Sequence, residues 1–435
     1  MARLLLKDGF VVFPDKIRKV DLLLKDKKIE SIKPSLDRNQ ANIISVRDRY
    51  ILPGGIDVHT HMELKVKNNM VCSDDFYTGS KAALKGGITT FFGFAYQDKK
   101  ETLLKAYRRT YKSALKKSQC SFRLHAGILN VEMNIEKQIA QCITKGVRTF
   151  KVHLNDPDVD SGFLLRIFKI ISRYKGILLV HCEDGKIVQH NTSEYVRSNK
   201  KQIRFYPQTR KNFVETISID LVIQLAREFG TRIYIVHVTT REGLMSIERA
   251  KKEESLWVEA ETTPHYLLLN ESLYRKDQSY LNTCTPPFRS TSDNKALWEG
   301  LKKGIIKVVS TDHCPFLKEQ KARGMDDFTK LPYGIGGIET LYPLMLSEGT
   351  KRAMNYSQIS NLISYNPSKI FNLYPLKGVI RPGSIADLVI YNPKQSYRLT
   401  KNDLVSHCDH SPYEGWKING KIEKVIFEGR IISTQ

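Results

Sequence analysis

The chain has 435 residues, 41% of them hydrophobic and 26% charged, a composition that excludes a wholly disordered or collagen-like protein. Lysine and arginine number 69 against 46 acidic residues, and the resulting net charge of +23 is typical of proteins that bind nucleic acids or anionic surfaces. The seven cysteines include no Cys-x-x-Cys pair, which disfavours a zinc ribbon or a disulfide framework and favours reduced thiols.

The hydropathy of the chain predicts no membrane segment. The first ten residues contain only three consecutive leucines, too few for the apolar core of a signal peptide. No apolar run approaches the ~18 residues that a membrane-spanning helix needs. We therefore expect a cytoplasmic protein that does not enter a membrane.

Both ends of the chain show the pattern of short β-strands. Apolar residues alternate or cluster between turn-forming residues in six segments, namely 3–13, 19–24, 28–32, 387–391, 421–427 and 430–432. We expect residues 1–50 and 380–435 to form one small β-sandwich domain.

The long middle of the chain alternates short apolar runs with amphipathic stretches. The runs are 89–94, 146–154, 176–180, 232–238, 256–260 and 305–310, and the helix candidates include 103–115, 162–174 and 214–229. Strands that alternate with helices over about 300 residues predict a parallel α/β architecture. A (β/α)8 TIM-type barrel over residues 51–379 fits this length.

Polar side chains recur where these apolar runs end. In the segment Gly-Gly-Ile-Asp-Val-His-Thr-His, two histidines stand at positions i and i+2, which share one face of a strand. In a barrel, the carboxyl ends of all strands converge on one pocket. The candidate site therefore consists of His59, His61, Lys151, His181, His237 and Asp312.

This residue set has the chemistry of a hydrolytic site with two metal ions. Neutral imidazoles and carboxylates bind Zn²⁺ or a similar divalent ion. Lys151 fits only if CO₂ adds to its amine, because the resulting carbamate is an anion that can bridge two cations, whereas an ammonium would repel them. We expect His153 to face away from the pocket and to serve only in packing.

Longer motifs around these residues resemble the cyclic amidohydrolases, a family that includes hydantoinases, dihydropyrimidinases, dihydroorotases and allantoinases. The resemblance covers nearly the whole chain. Its most specific pieces are GGIDVHTH (54–61), FKVHL (150–154), VHCEDG (180–185), VHVTT (236–240), ETTPHYLLL (261–269), TPPFR (285–289), STDHCPF (310–316) and DDFTKLPYGIGGIE (326–339).

The resemblance implies the roles of the candidate residues. His59 and His61 would bind the more buried metal, and His181 and His237 the outer metal. Carboxylated Lys151 would bridge both, and Asp312 would bind the buried metal. Two divalent metals, with zinc as the expected ion, are the implied cofactors, together with the CO₂-derived carbamate.

The same resemblance implies a mechanism. Two cations lower the pKa of a water molecule between them, so that hydroxide forms near neutral pH. Asp312 would act as general base for the attack on a ring carbonyl and would then return the proton to the leaving nitrogen. The implied reaction is the ring opening of a cyclic amide.

The motifs favour a hydantoin or dihydropyrimidine substrate, with dihydroorotase or allantoinase activity as the alternatives. Dihydroorotases carry an arginine where this chain has Glu63, which would either repel dihydroorotate or point away. Hydantoinases carry a tyrosine where this chain has Asp156, and Tyr96 or Tyr333 could replace its oxyanion contact. Thr285 and Tyr333 occupy the expected substrate-binding positions.

Two other classes of function compete with this one. A scaffold relative would keep the barrel and lose the metal ligands, but all six candidate ligands are present here. A nucleic-acid binder would use the basic stretches 99–117 and 197–211, which carry eight and six basic residues. We interpret the first as an outer barrel helix, and the second as either a mobile basic loop near the pocket or a merely exposed loop.

No recognised nucleic-acid motif accompanies either basic stretch. We therefore expect a small cyclic amide or ureide as the substrate and no nucleic acid as a partner. By resemblance, we also expect a homo-oligomer, either a dimer or a tetramer.

Overall fold

The computed structural model describes residues 3–36, 41–66, 69–131 and 134–432. The strands in these ranges are β1 (Arg3–Val12), β2 (Ile17–Lys25), β3 (Lys28–Lys33), β4 (Asn42–Ser45), β5 (Tyr50–Pro53), β6 (Gly55–Thr60), β7 (Ile88–Tyr96), β8 (Ser121–Gly127), β9 (Thr149–His153), β10 (Ile177–His181), β11 (Arg232–Ile235), β12 (Val258–Thr262), β13 (Val308–Val309), β14 (Leu388–Arg398), β15 (Lys417–Phe427) and β16 (Arg430–Ile432).

The α-helices of the described residues lie mostly between the barrel strands. They are α1 (Phe76–Lys85), α2 (Leu103–Lys117), α3 (Ile135–Thr144), α4 (Ser161–Arg173), α5 (Gly185–Arg197), α6 (Asn212–Phe229), α7 (Arg241–Ala250), α8 (Pro264–Leu268), α9 (Thr291–Lys302), α10 (Lys318–Ala322), α11 (Leu341–Thr350), α12 (Tyr356–Ser360) and α13 (Asn366–Ile370). None of these helices combines the length and the apolar character needed to cross a membrane.

Strands β6 to β13 form a parallel barrel in which each strand pairs with its neighbours along the chain. Every residue of β6 and β10 is buried, as expected for strands that are covered on both faces. The predicted (β/α)8 class is therefore confirmed.

Contacts between β6 and the segment after β13 close the barrel. The His61 amide donates to the His313 carbonyl oxygen over 2.7 Å. The Asp57 carboxylate accepts hydrogen bonds from the Thr311 amide at 3.1 Å and from the Thr311 hydroxyl. The first and last barrel strands are thus held together at the end where the candidate site lies.

The two chain ends build a separate eight-stranded sheet, which confirms the predicted terminal β domain. Its order is β16-β15-β14-β5-β1-β2-β3, with β4 pairing with β1. It buries its own apolar cluster, which includes Leu22, Ile51 and Ile426. The division into residues 1–50 plus 380–435 and residues 51–379 stays a prediction, and β5 lies at that boundary.

The predicted helices agree with the structure within a few residues. Helix α2 buries Leu103, Ala106 and Ala114 on one face and exposes most of its basic residues, as expected for an outer helix. Strand β13 is shorter than the apolar run 305–310 predicted, because the chain leaves the sheet after Val309 to make the contacts that close the barrel.

We predict that Thr311→Val destabilises the fold by about 1–3 kcal/mol, because it leaves part of the buried Asp57 carboxylate without a donor. The free energy of unfolding in urea measures this loss.

The matched control is Thr90→Val, the same isosteric change on β7. The Thr90 hydroxyl is buried and has no hydrogen-bond partner among the described residues. Its removal should be neutral or slightly stabilising. Equal effects of the two substitutions would contradict the importance of the closure contact.

Candidate active site

The six predicted site residues lie together at the carboxyl ends of five barrel strands. His59 and Lys151 lie within the last residues of β6 and β9, and His181 ends β10. His61, His237 and Asp312 follow the ends of β6, β11 and β13. This is the arrangement that the strand-end pattern predicted.

The first group in this pocket consists of His59, His61 and Asp312. One Asp312 carboxylate oxygen lies 3.2 Å from His59 Nε2 and 3.0 Å from His61 Nε2. One ligand atom from each of the three residues lies within 4.8 Å of the others. Within the described ranges, the buried His59 Nε2 has no partner with hydrogen-bond geometry. Three converging donor atoms with an unsatisfied imidazole nitrogen fit a divalent cation.

The second group consists of His181 and His237. Nδ1 of His181 lies 2.9 Å from Nε2 of His237. The ring of His237 also lies 5.4 Å from that of His59, measured between centroids, so the two groups share one pocket. Their nitrogen atoms supply the neutral donors that zinc accepts.

Lys151 is fully buried between these groups, and its amine has no hydrogen-bond partner among the described residues. Burial lowers the pKa of the amine to about 8, against the opposing effect of Asp312 and Glu261. An amine with such a pKa is partly unprotonated near neutral pH. It therefore has the form that reacts with CO₂.

The two groups contain strand-end residues with strained backbones. His237 has φ of 38° and Asp312 has φ of 48°, in the left-handed region that favours glycine. Such conformations cost of order 1–3 kcal/mol and cluster at functional sites. Here they lie at the point where each strand gives way to its loop and turns a ligand-type side chain into the pocket.

A buried glutamate stands behind each group of ligand-type residues. Glu261 on β12 bonds to His59 Nδ1 and accepts a 2.9 Å hydrogen bond from the Tyr234 hydroxyl. Glu183 lies 2.8 Å from His181 Nε2. Each carboxylate holds the ring nitrogen that faces away from the pocket, which fixes the orientation of the imidazole.

Glu183 is kept ionised by Arg210, whose Nη1 donates to it over 2.6 Å. Burial by itself would raise the pKa of Glu183, but Arg210 and His181 outweigh it and hold the pKa at about 2. Sequence reasoning missed both residues. Glu183 could have been found from its i, i+2 spacing to His181, whereas Arg210 lies in another segment of the chain.

Arg210 also corrects the interpretation of the basic stretch 197–211. Part of this stretch is a 3-10 helix, Ile203–Arg210, with Ile203 and Tyr206 buried. The stretch therefore lies near the pocket, as one of the two interpretations expected, but this part of it is helical and is not merely exposed. Its last arginine reaches the site through Glu183.

The prediction that His153 faces away from the pocket is wrong. The His153 ring lies 5.6 Å from that of His181 and its Nε2 lies 2.9 Å from the Tyr96 hydroxyl. Residues two apart on a strand share a face, so the spacing from Lys151 already pointed this way. Tyr96 itself stacks on His61 at 5.9 Å between centroids.

The two predicted substrate residues lie beside the 3-10 helix. The Tyr206 hydroxyl lies 2.8 Å from Thr285 Oγ1, and the Tyr206 ring stacks on Tyr333 at 4.6 Å. The Tyr333 hydroxyl donates to the Phe328 carbonyl oxygen, so it is already engaged. Asp156 accepts a hydrogen bond from the Asp158 amide within the loop after β9.

Glu63 is engaged outside the pocket. Its carboxylate binds the Lys117 ammonium at 2.6 Å and the Ser113 hydroxyl at 2.8 Å, both on α2. The structure therefore supports the interpretation in which the Glu63 side chain points away from the pocket.

The fold is that of a barrel hydrolase, and comparison with known proteins shows its family. The model of the Amidohydrolase family matches residues 50–432, and the chain belongs to this family.

The relatives narrow the resemblance to hydantoinases, as the motifs predicted. The chain is 32% identical to a D-hydantoinase of Ralstonia pickettii, over 99% of this chain and 94% of that protein. It is 30% identical to a D-hydantoinase of Streptomyces coelicolor, over 100% and 95% of the two chains. The crystal structure of dihydropyrimidinase from Brevibacillus agri superposes with a TM-score of 0.95 at 27% identity, covering 99% and 95% of the two chains.

We predict that Arg210→Met destabilises the protein by about 3–5 kcal/mol, because Glu183 is then a buried charge without its guanidinium partner. The free energy of unfolding in urea measures the effect. Arg197→Met, on the exposed pair with Glu194, is the control and should cost no more than about 1 kcal/mol. A similar small cost at both positions would show that Glu183 does not depend on Arg210.

Proposed function

We propose that this protein hydrolyses cyclic amides, opening the ring of a hydantoin or dihydropyrimidine substrate. The observation that carries the proposal is the convergence at the mouth of the barrel of four histidines, one aspartate and one buried lysine whose amine has no hydrogen-bond partner among the described residues. The named relatives are hydantoinases, which supports the same reaction class. Dihydroorotases carry an arginine at the position of Glu63, and here the Glu63 carboxylate is bound to Lys117 of α2. This difference disfavours the dihydroorotase alternative.

We assign the metal ligands as a proposal on the same geometry. His59, His61 and Asp312 would hold one divalent cation, and His181 and His237 the other. Lys151, carboxylated by CO₂, would bridge them, with zinc as the expected ion. When bound, the cations would lower the pKa of a water molecule and polarise the substrate carbonyl.

Asp312 is the proposed general base. Its side chain is 12% exposed, so it reaches the pocket while lying against two imidazoles. Burial would raise the pKa of Asp312, but His59 and His61 outweigh this effect and hold the pKa well below its usual value. The carboxylate is therefore available to take a proton from the attacking water and to return it to the ring nitrogen as the C–N bond breaks.

Tyr96 is the proposed donor to the developing oxyanion. The hydantoinase tyrosine is replaced here by Asp156, and of the two candidate tyrosines Tyr96 is the one that stacks on a proposed metal ligand. Tyr96 lies on His61 at the pocket, with its hydroxyl next to His153. Thr285 and Tyr333 would line the substrate on the side of the 3-10 helix.

We predict that the metal-loaded enzyme turns over dihydrouracil or hydantoin, and that Asp312→Asn lowers kcat by at least about 10²–10⁴-fold while the protein still folds. Formation of the ring-opened product, followed by chromatography, measures both. Circular dichroism checks the fold of the variant.

The matched control is Asp220→Asn on the outer face of α6, which should retain full activity. Allantoin and dihydroorotate complete the substrate panel. Turnover of dihydroorotate alone would overturn the proposed substrate class, and unchanged activity of Asp312→Asn would overturn the role of the aspartate.

We predict that protein equilibrated with ¹³C-bicarbonate and zinc carries one carbamate carbon per chain, visible by ¹³C NMR. In this reaction the Lys151 amine attacks CO₂ and loses a proton, and the carbamate anion remains. Lys151→Gln should lose the signal together with bound metal.

Lys321 provides the control, because it is a second fully buried lysine whose pKa burial lowers to about 8. Unlike the Lys151 amine, its amine is hydrogen-bonded, donating to the Thr283 carbonyl oxygen at 2.9 Å and to the Thr283 hydroxyl at 3.1 Å. The signal should therefore survive Lys321→Gln. A labelled carbon that persists in Lys151→Gln would refute the carbamate at Lys151.

A further inference from the structure

A second cluster of metal-type side chains lies outside the proposed catalytic centre. Cys408, Asp409 and His410 are consecutive in the segment between β14 and β15. One ligand atom from each lies within 4.8 Å of the others. Cys408 Sγ is 3.6 Å from His410 Nδ1, and Asp409 Oδ1 is 3.2 Å from the same nitrogen. We propose that these three residues form a zinc site distinct from the catalytic one.

The distances between the ligand atoms fit tetrahedral zinc. Zinc binds sulfur at about 2.3 Å and imidazole nitrogen or carboxylate oxygen at about 2.0–2.2 Å. Two such bonds at a tetrahedral angle separate sulfur from nitrogen by about 3.6 Å, and oxygen from nitrogen by about 3.4 Å. The observed separations of 3.6 Å and 3.2 Å lie within about 0.2 Å of these two values.

The surroundings hold the three ligands in place. Cys408 is 3% exposed and the His410 side chain is 7% exposed. The Asp409 carboxylate is oriented by a 2.9 Å hydrogen bond from the Lys318 amide. The Cys408 amide donates to the Ser406 hydroxyl over 3.2 Å. Zinc binding would replace the 3.6 Å hydrogen bond that Cys408 Sγ donates to the Phe316 carbonyl oxygen.

A small cavity beside Cys408 and His410 would admit the fourth ligand that the proposed site needs. It has a volume of about 20 Å³, and Cys408, His410 and Glu339 are among its lining residues. This space is enough for one water molecule, which needs roughly 10–15 Å³. Three protein ligands and one water complete the four-coordinate geometry that zinc prefers.

Metal binding would have to displace the proton of the Cys408 thiol, because burial raises the pKa of that thiol to about 11. Bound to zinc, the Cys408 thiolate and the Asp409 carboxylate would supply two negative charges, against the one positive charge of nearby Lys321.

The cluster lies next to residues that join the segment between β14 and β15 to the barrel. The Ser406 hydroxyl and the His407 amide both donate to Asp74, at 2.5 Å and 2.9 Å. Asp74 in turn lies 3.1 Å from His313, the neighbour of Asp312. Zinc at Cys408 would hold this segment against Asp74 and thereby stabilise the position of His313, next to the proposed general base Asp312.

Cobalt substitution tests the site on the whole chain. Thiolate bound to Co²⁺ gives an intense near-ultraviolet charge-transfer band, and the six proposed catalytic ligands include no thiolate. We expect the band in the Co²⁺-loaded wild type and its loss in Cys408→Ser. The control Cys142→Ser, at a buried cysteine on α3, should retain the band.

Metal content gives a second measurement that does not depend on catalysis. Cys408→Ser and His410→Gln should each bind one zinc per chain fewer than the wild type, whatever the occupancy of the catalytic centre. Asp409→Asn, at an exposed side chain that tolerates change, should require a higher Co²⁺ concentration for the same band. A wild type without the band, or a band and zinc content unchanged in Cys408→Ser and His410→Gln, would overturn the proposal.

Discussion

Closure of the barrel between its first and last strands is the constraint on which the site depends. The Asp57 carboxylate joins β6 to Thr311 across 254 positions of sequence. His59 and Asp312 stand one or two residues beyond these closing contacts, and so their side chains meet. A barrel that remained open at this seam would separate the histidine pair of the first strand from the aspartate of the last.

Closure of the barrel also buries several charged side chains, and not all of them have hydrogen-bond partners. Buried charged groups are costly unless they are paired, and most polar groups here are paired. Glu183 has Arg210, and Glu261 has Tyr234 and His59. Lys151, in contrast, has no hydrogen-bond partner in the part of the chain that the structure describes. The proposed carbamate would give this buried side chain the partners that its free amine lacks.

The C-terminal segment connects the two metal sites proposed for this molecule. It returns from the terminal sheet to the barrel and reaches Asp74, which lies against His313. The proposed general base and the C-terminal segment are thus connected by hydrogen bonds through Asp74 and His313. A metal at Cys408 would make that coupling more rigid without adding any group to the reaction.

Local sequence patterns were enough to predict the barrel and the identity of its rim residues. Apolar runs that end in histidine, lysine or aspartate mark both the end of a strand and the type of side chain at the rim. This information is local, because strand periodicity and residue type act within a few positions. The one error of this kind concerned His153, for which the correct two-residue period placed the ring beside Lys151.

Only the tertiary structure determined the contacts between residues that are far apart in the chain. The pairing of Glu63 with Lys117, of Glu183 with Arg210 and of Asp57 with Thr311 depends on how helices and strands pack, which no local period encodes. The sequence by itself therefore determined the class of fold and the chemical types available at the rim. The packing decided which charges are neutralised, which stay buried without a partner, and hence which residues are free to act.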